Sequence, residues 1–265
     1  MKIGFLGAGK MAEAILASVV DGGLCERWNV TACDVSEERR AWMEKEYGVV
    51  PASDALETVK TCKTLIVAVK PQDLDTLAAS VAKALTASHL VISICAGKDL
   101  KTLRKAFGEK PRLVRVMPNL ALRVNQGMVA VCAAANAKPA DQKLVKKIFG
   151  CAGKVLELPE KHFDAVTALS GSGPAFYAYC LKAMADGGTA LGLPADAARL
   201  LAEQTMLGTA VFLQETGTDL DAFIAAVCSK GGTTEAGMKV LAKSSVASAY
   251  AKTLAAAAKR SAELA

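Results

Sequence analysis

The 265-residue sequence holds only two histidines, His89 and His162, set far apart, and no C-x-x-C pair. Metal-ligand spacing is therefore missing, and no metal is expected. Basic residues never form a run with interleaved aromatics, and the formal net charge of +6 is modest. Nucleic acid is a poor partner for such a chain, whereas a slightly positive surface suits small anions. No stretch reaches the roughly 18 apolar residues of a membrane span. The opening "MKIGFLGAG" is too short and too broken by glycine for a signal peptide. These absences predict a cytoplasmic chain with no membrane partner. Cysteine, by contrast, is plentiful: Cys25, Cys33, Cys62, Cys95, Cys132, Cys151, Cys180 and Cys228. Most lie in apolar runs such as "VISIC" and "VAVC", and they read as buried, reduced thiols. A hydrophobic content of 52% against 22% charged residues describes a globular chain able to bury a sizeable core.

Two rhythms follow one another. Up to residue 158, the β-rich runs "KIGFL", "WNVTAC", "TLIVAV", "LVISIC", "RLVRVM", "MVAVCA" and "KVLEL" alternate with amphipathic stretches such as "KMAEAILASVV" and "DLDTLAASVAKAL". That alternation predicts βαβ units and a largely parallel sheet covered on both faces. From 159 to 265 the strand signal stops. Three long segments read as helices, with prolines near starts and glycines near ends. The middle one, "PADAARLLAEQTMLGTAVFLQETG", is apolar around most of its circumference. A domain of about 105 residues has little interior for it, so burial against a second copy is expected.

Gly7-Ala8-Gly9-Lys10-Met11-Ala12 stands right after the first strand and opens the first helix. This is G-x-G-x-x-A in its required context. Gly7 permits the tight turn, Gly9 lets a pyrophosphate approach the backbone, and Ala12 lets helix and strand pack closely. The expected fold is thus α/β, an N-terminal Rossmann-type doubly wound sheet followed by an all-α domain. Asp34, at the end of strand two, lies where the adenosine ribose is read. Its carboxylate favours NADH, yet Ser36, Arg39 and Arg40 follow at once and could hold a 2′-phosphate, so NADPH and NADH both stay open. "AVKPQD" follows another strand and places Ala68, Val69, Lys70 and Pro71 at the ligand crevice, or else simply starts the next helix with Pro71. In "SICAG", Ala96 and Gly97 are small enough to admit a nicotinamide.

One stretch is out of keeping with the helical tail: "SKGGTTEAG", residues 229–237. By itself it is a loop and helix start. Two glycines also bare the backbone, and a helix N-terminus presents free N–H groups with partial positive charge. Such a place can hold a small carboxylate.

The segments "MKIGFLGAGKMAEAI", "AVKP", "MPN", "LSGSGPAF", "AMADGG" and "SKGGTTEAG" resemble, in order and spacing, the pyrroline-5-carboxylate reductase family over residues 1 to about 243. The first motif is shared by many dehydrogenases; "LSGSGP" with Ser-x-Gly-Gly-Thr-Thr is specific to the family. The resemblance implies reduction of 1-pyrroline-5-carboxylate to L-proline by NADPH or NADH, the last step of proline synthesis. It also implies a helical domain that interlocks with its twin, giving a homodimer or a larger assembly of dimers. Gly7, Ala8, Gly9, Lys10, Met11, Val69, Lys70, Pro71 and Ala96 match cofactor positions, and Leu6, Ala68 and Asp34, beside them at the strand ends, are expected to join the cofactor site. Ser229, Gly231, Gly232, Thr233 and Thr234 match the substrate loop. Lys230, Leu120-Ala121, Ala55 and Val35 depart from the usual family pattern.

The chemistry implied needs little acid–base machinery, because a protonated cyclic imine already accepts hydride. Backbone N–H groups of Gly232 and Thr233 are expected to bind the substrate carboxylate, with the Thr234 hydroxyl beside the ring nitrogen as the catalytic contact. Two rivals remain. A reductase of the hydroxyacid or ketopantoate type would call for a lysine or carboxylate acid, with Lys182 and Glu203 as candidates. A non-catalytic dinucleotide-binding dimer would keep "GAGKM" and not need "GGTT".

Overall fold

The computed structural model describes residues 1–264. Its first part runs β1 (Ile3–Leu6), α1 (Lys10–Asp21), β2 (Val30–Cys33), α2 (Glu37–Tyr47), β3 (Val50–Ala52), α3 (Ala55–Thr61) and β4 (Thr64–Val67). It continues with α4 (Leu74–Val81), β5 (Leu90–Ser93), α5 (Leu100–Phe107), β6 (Arg112–Pro118), β7 (Gly127–Ala133), α6 (Pro139–Gly150) and β8 (Gly153–Glu157). The apolar runs become strands because a sheet covered on both faces has no polar side: β1, β4 and β5 are buried at every position.

The strands form one sheet in the order β3-β2-β1-β4-β5-β6-β7-β8. β1 to β6 are parallel, β7 runs antiparallel to β6, and β8 is parallel to β7. Alternate residues of the central strands feed two apolar clusters. Ile3, Phe5, Ile66 and Ile92 pack with α1 and α6 on one face, and Leu6, Leu65, Val67 and Val91 pack with α3, α4 and α5 on the other. The sheet is therefore doubly wound, and its strand order reverses between β1 and β4, where ligands of such folds bind.

After β8 only helices follow: α7 (Phe163–Val166), α8 (Gly173–Ala190), α9 (Ala195–Thr216), α10 (Leu220–Val227), α11 (Thr233–Lys243) and α12 (Val246–Glu263). The change from strands to helices falls after Glu157, while the two compact units divide at Ser172. One unit is residues 1–172 with the end of α12 from Ala255 onward; the other is residues 173–254. α7 and the π-turn Thr167–Gly171 belong with the sheet, where Phe163 and Ala168 are buried.

The second unit has almost no interior of its own. Along α8, α9, α10 and α11 the only buried residues are Gly173 and Ala198. Leu191 is 90% exposed, Tyr179 78% and Leu200 66%. All eight cysteines are free, but Cys132, Cys151, Cys180 and Cys228 are only partly buried, which corrects the expectation for these four. Among the described residues, no helix is long and apolar enough to cross a membrane.

Candidate active site

Gly7 ends β1 with φ +100, and a Cβ there would meet the backbone of Ala68 and Val69 at 2.8–2.9 Å. Both the left-handed conformation and the close approach to the end of β4 demand glycine. Gly9 is the opposite case. It caps α1 without any side chain, and a Cβ on it would meet nothing within 4 Å. The first N–H groups of α1 thus stand beside open space, which is what a pyrophosphate requires. Ala12 is fully buried, in keeping with close packing of helix on strand.

Leu6 and Ala8 hold this turn from behind. Both are buried, and the Leu6 carbonyl accepts the Ala68 N–H at 2.8 Å. Ala8 is gripped on both sides: its N–H donates to Asp34 Oδ2 at 2.7 Å and its carbonyl accepts from Arg39 Nε at 2.5 Å. The other Asp34 oxygen accepts the Ser36 N–H at 3.0 Å. Arg39 also pairs with Glu13 and lies over the Trp42 ring, 4.4 Å from its centroid. Arg40 donates to the carbonyls of Asp34 and Val35, at 2.7 and 3.1 Å. Ser36 caps α2 by accepting the Arg39 N–H at 3.2 Å. Lys10 is exposed beside Glu13.

Next to the glycine turn, the carboxyl ends of β4, β5 and β6 border an open cavity of about 320 Å³. Met11, Ala68, Val69, Pro71 and Ala96 line it. Pro71 both lines this cavity and opens the short turn Pro71–Asp73 that leads into α4. Lys70 is exposed and does not line the cavity. The sequence reading missed Ile94, Cys95, Met117, Pro118, Asn119, Leu120 and Gly171 in this wall. Asn119 braces the wall by accepting the Met128 N–H at 3.1 Å. The Cys95 thiol donates to the Val69 carbonyl at 3.4 Å, and burial raises its pKa.

In the second unit, Gly231 has φ +75 and donates its N–H to Glu235 Oε2 at 2.6 Å. Gly232 caps α11, and a Cβ there would fall 2.4 Å from Ser229 Oγ. Its N–H, expected to bind a carboxylate, instead donates to the Ser229 carbonyl at 2.9 Å, which closes the turn. Among the described residues, the unengaged donors at this helix start are the N–H groups of Thr233, Thr234 and Glu235. Thr234 is half-buried, and Ser229, Gly231 and Thr233 are exposed.

Residues 160–264 match the family model for pyrroline-5-carboxylate reductase dimerisation. Residues 2–97 match the model described as NADP oxidoreductase, coenzyme F420-dependent. The chain is 40% identical to pyrroline-5-carboxylate reductase of Synechocystis, covering 100% of this chain and 98% of that one. It is 38% identical to the Methanosarcina acetivorans enzyme of the same name, over 99% and 97% of the two chains. A solved pyrroline-5-carboxylate reductase structure from Coxiella burnetii superposes with a TM-score of 0.94 at 30% identity, covering 100% of this chain and 98% of that one. The chain belongs to the pyrroline-5-carboxylate reductases.

Members of this family are NAD(P)H-dependent oxidoreductases, and the residues present fit such a cofactor. The open space over Gly9, the side-chain-free start of α1 and the largely apolar cavity lined by Met11, Val69, Pro71 and Ala96 match a pyrophosphate and a flat nicotinamide in turn. "MPN" and "LSGSGP" already carried the resemblance. Asn119 and Gly171 are where these motifs reach the cavity wall.

Proposed function

We propose that this chain reduces 1-pyrroline-5-carboxylate to L-proline, the closing step of proline synthesis, and that Thr234 is its catalytic contact. The observation that carries the reading is the cavity at the reversal of the strand order, walled by β4, β5 and β6 beside the glycine turn. Bound NAD(P)H supplies the hydride. The imine carbon takes it, the C=N bond becomes a C–N single bond, and the nitrogen keeps the proton it already carries. No separate general acid is needed, so positioning dominates the catalysis.

Gly7, Gly9, Lys10 and Met11 form the pyrophosphate turn, with Leu6 and Ala8 behind it. Ala68, Val69, Pro71 and Ala96 wall the nicotinamide, Lys70 flanks them, and Asp34 takes the ribose. Ser229, Gly231 and Gly232 shape the substrate loop. Thr233 and Thr234 offer the N–H groups for the carboxylate, and the Thr234 hydroxyl accepts from the iminium.

The apolar surface on α8, α9 and α10 supports a homodimer built from the helical part, residues 159–265 beside a dinucleotide-binding domain of residues 1–158. A larger assembly of dimers and a cytoplasmic location complete the reading. The test is oxidation of NADPH and of NADH by the purified chain with 1-pyrroline-5-carboxylate, against 2-keto and 3-hydroxy acids. Turnover of those acids alone would replace the imine as substrate.

A further inference from the structure

We propose that the adenosine end of this site selects against a 2′-phosphate, so that the chain prefers NADH over NADPH. The inference rests on the dinucleotide reading above and concerns only the groups around the end of β2. A phosphate on the ribose carries nearly two negative charges, and a site that accepts it needs an uncommitted cation or free donors. The nearby cations are all engaged. Arg39 is held by the Ala8 carbonyl, Glu13 and the Trp42 ring. Arg40 donates to the Asp34 and Val35 carbonyls. Lys10 stands 3.6 Å from Glu13. The Ser36 hydroxyl is engaged in capping α2.

Negative groups gather there instead. Asp34 is fixed by two backbone N–H groups, Ala8 and Ser36, and each of its oxygens still has a lone pair for a ribose hydroxyl. Asp54 follows the neighbouring strand β3, whose Ala52 carbonyl accepts the Asp34 N–H at 3.3 Å. Glu37 and Glu38 occupy the first turn of α2. Val35, between Asp34 and Ser36, is 97% exposed and offers no charge to any of them. A ribose hydroxyl can donate to Asp34, whereas a phosphate at the same place meets the Asp34 carboxylate, with only the first N–H groups of α2, at Glu37 and Glu38, set against that repulsion.

The test is direct titration of the full chain with NADH and with NADPH, without imine, followed by kcat/KM with each. NADH should bind more tightly by on the order of tenfold, and the specificity constants should follow. Val35→Arg, at a position that makes no side-chain bond, should narrow the gap with an unchanged melting temperature. Asp34→Ser should raise NADPH affinity. Equal or tighter NADPH binding by the unsubstituted chain overturns the proposal, as does a ratio that neither substitution moves. If neither dinucleotide binds, the dinucleotide reading falls and this proposal with it. NADH-selective binding without imine turnover supports the proposal while removing the imine from the function.

Discussion

The Glu235 carboxylate reaches back over the start of α11 and accepts the N–H of Gly231 at 2.6 Å, while Lys239 pairs with its other oxygen at 3.0 Å. Gly231 is in the left-handed region, so the bond fixes a turn that only glycine adopts easily. The same bond, given by the Gly231 N–H, is the main reason that the Glu235 pKa is lowered. Glu235 thus sets the path of the loop that presents Thr233 and Thr234.

Removing that tie should loosen the substrate loop without touching the nucleotide turn. Glu235→Ala is expected to raise KM for pyrroline-5-carboxylate several-fold, with NAD(P)H affinity unchanged. Glu235→Gln keeps an acceptor and should be milder. Equal kinetics in both variants would show that the loop holds its shape without the carboxylate.

Gly7 and Gly9 should fail in different ways. A methyl at Gly7 collides with backbone and strains a positive φ, so Gly7→Ala should cost about 1–3 kcal/mol of stability. Gly9 has nothing within 4 Å of a Cβ, so Gly9→Val should melt near the parent temperature yet lose dinucleotide binding. Normal NAD(P)H binding by Gly9→Val would show that no phosphate lies over that residue.

Much of this was legible beforehand. β1, β4 and β5 are apolar runs between turn residues, and Gly7-x-Gly9 sits where a strand must turn into a helix. β3 was missed because Val50–Ala52 is three residues long with Pro51 inside, and such a segment is tolerated only at a sheet edge. The reversal at β7 follows from its connection: Asn119 to Gln126 holds only the short turn Leu120–Val124 and no crossover helix. What Arg39, Arg40 and the Gly232 N–H bond to was not legible, because those partners are fixed by tertiary approach. The same holds for Met117, Asn119 and Gly171, which reach the cavity from segments far apart in sequence.

Acid should weaken the fold through His89, which is 1% exposed. Its Nδ1 accepts the Thr86 N–H at 2.9 Å, its Nε2 lies 3.0 Å from the Val59 carbonyl, and Lys63 Nζ stands 3.2 Å from Nε2. Burial first, then the Lys63 and Arg112 charges, lower its pKa from 6.5, against the opposing bond to the Val59 carbonyl. A depressed pKa in the folded state contributes stability that is complete above the unfolded value and is lost as pH falls below it. The slope approaches about 1.4 kcal/mol per pH unit below pH ~6.5. Denaturant unfolding at pH 7.5, 6.5 and 5.5 should show the loss, and His89→Gln should flatten it. A parent protein equally stable at all three values would mean that the imidazole is free to charge in the folded state.

Thr234 decides between substrate loop and plain helix start. The cap of α11 is Gly232, and the Thr234 hydroxyl makes no hydrogen bond among the described residues. Thr234→Ala should therefore leave the melting temperature nearly unchanged, because alanine is the better helix former. If the hydroxyl meets the reacting nitrogen, its removal deletes a hydrogen bond to a charged group, about 1.5–3 kcal/mol. That is roughly a 10- to 150-fold fall in kcat/KM for pyrroline-5-carboxylate. NAD(P)H binding should hardly change, since the glycine turn and cavity lie in the other compact unit. Thr234→Ser keeps the hydroxyl and should recover most of the activity. The comparison to make is kcat/KM for alanine and serine at 234 beside their melting curves. A lower melting point with unchanged kinetics would return Thr234 to a structural role and leave backbone N–H groups as the substrate's contacts at that helix start.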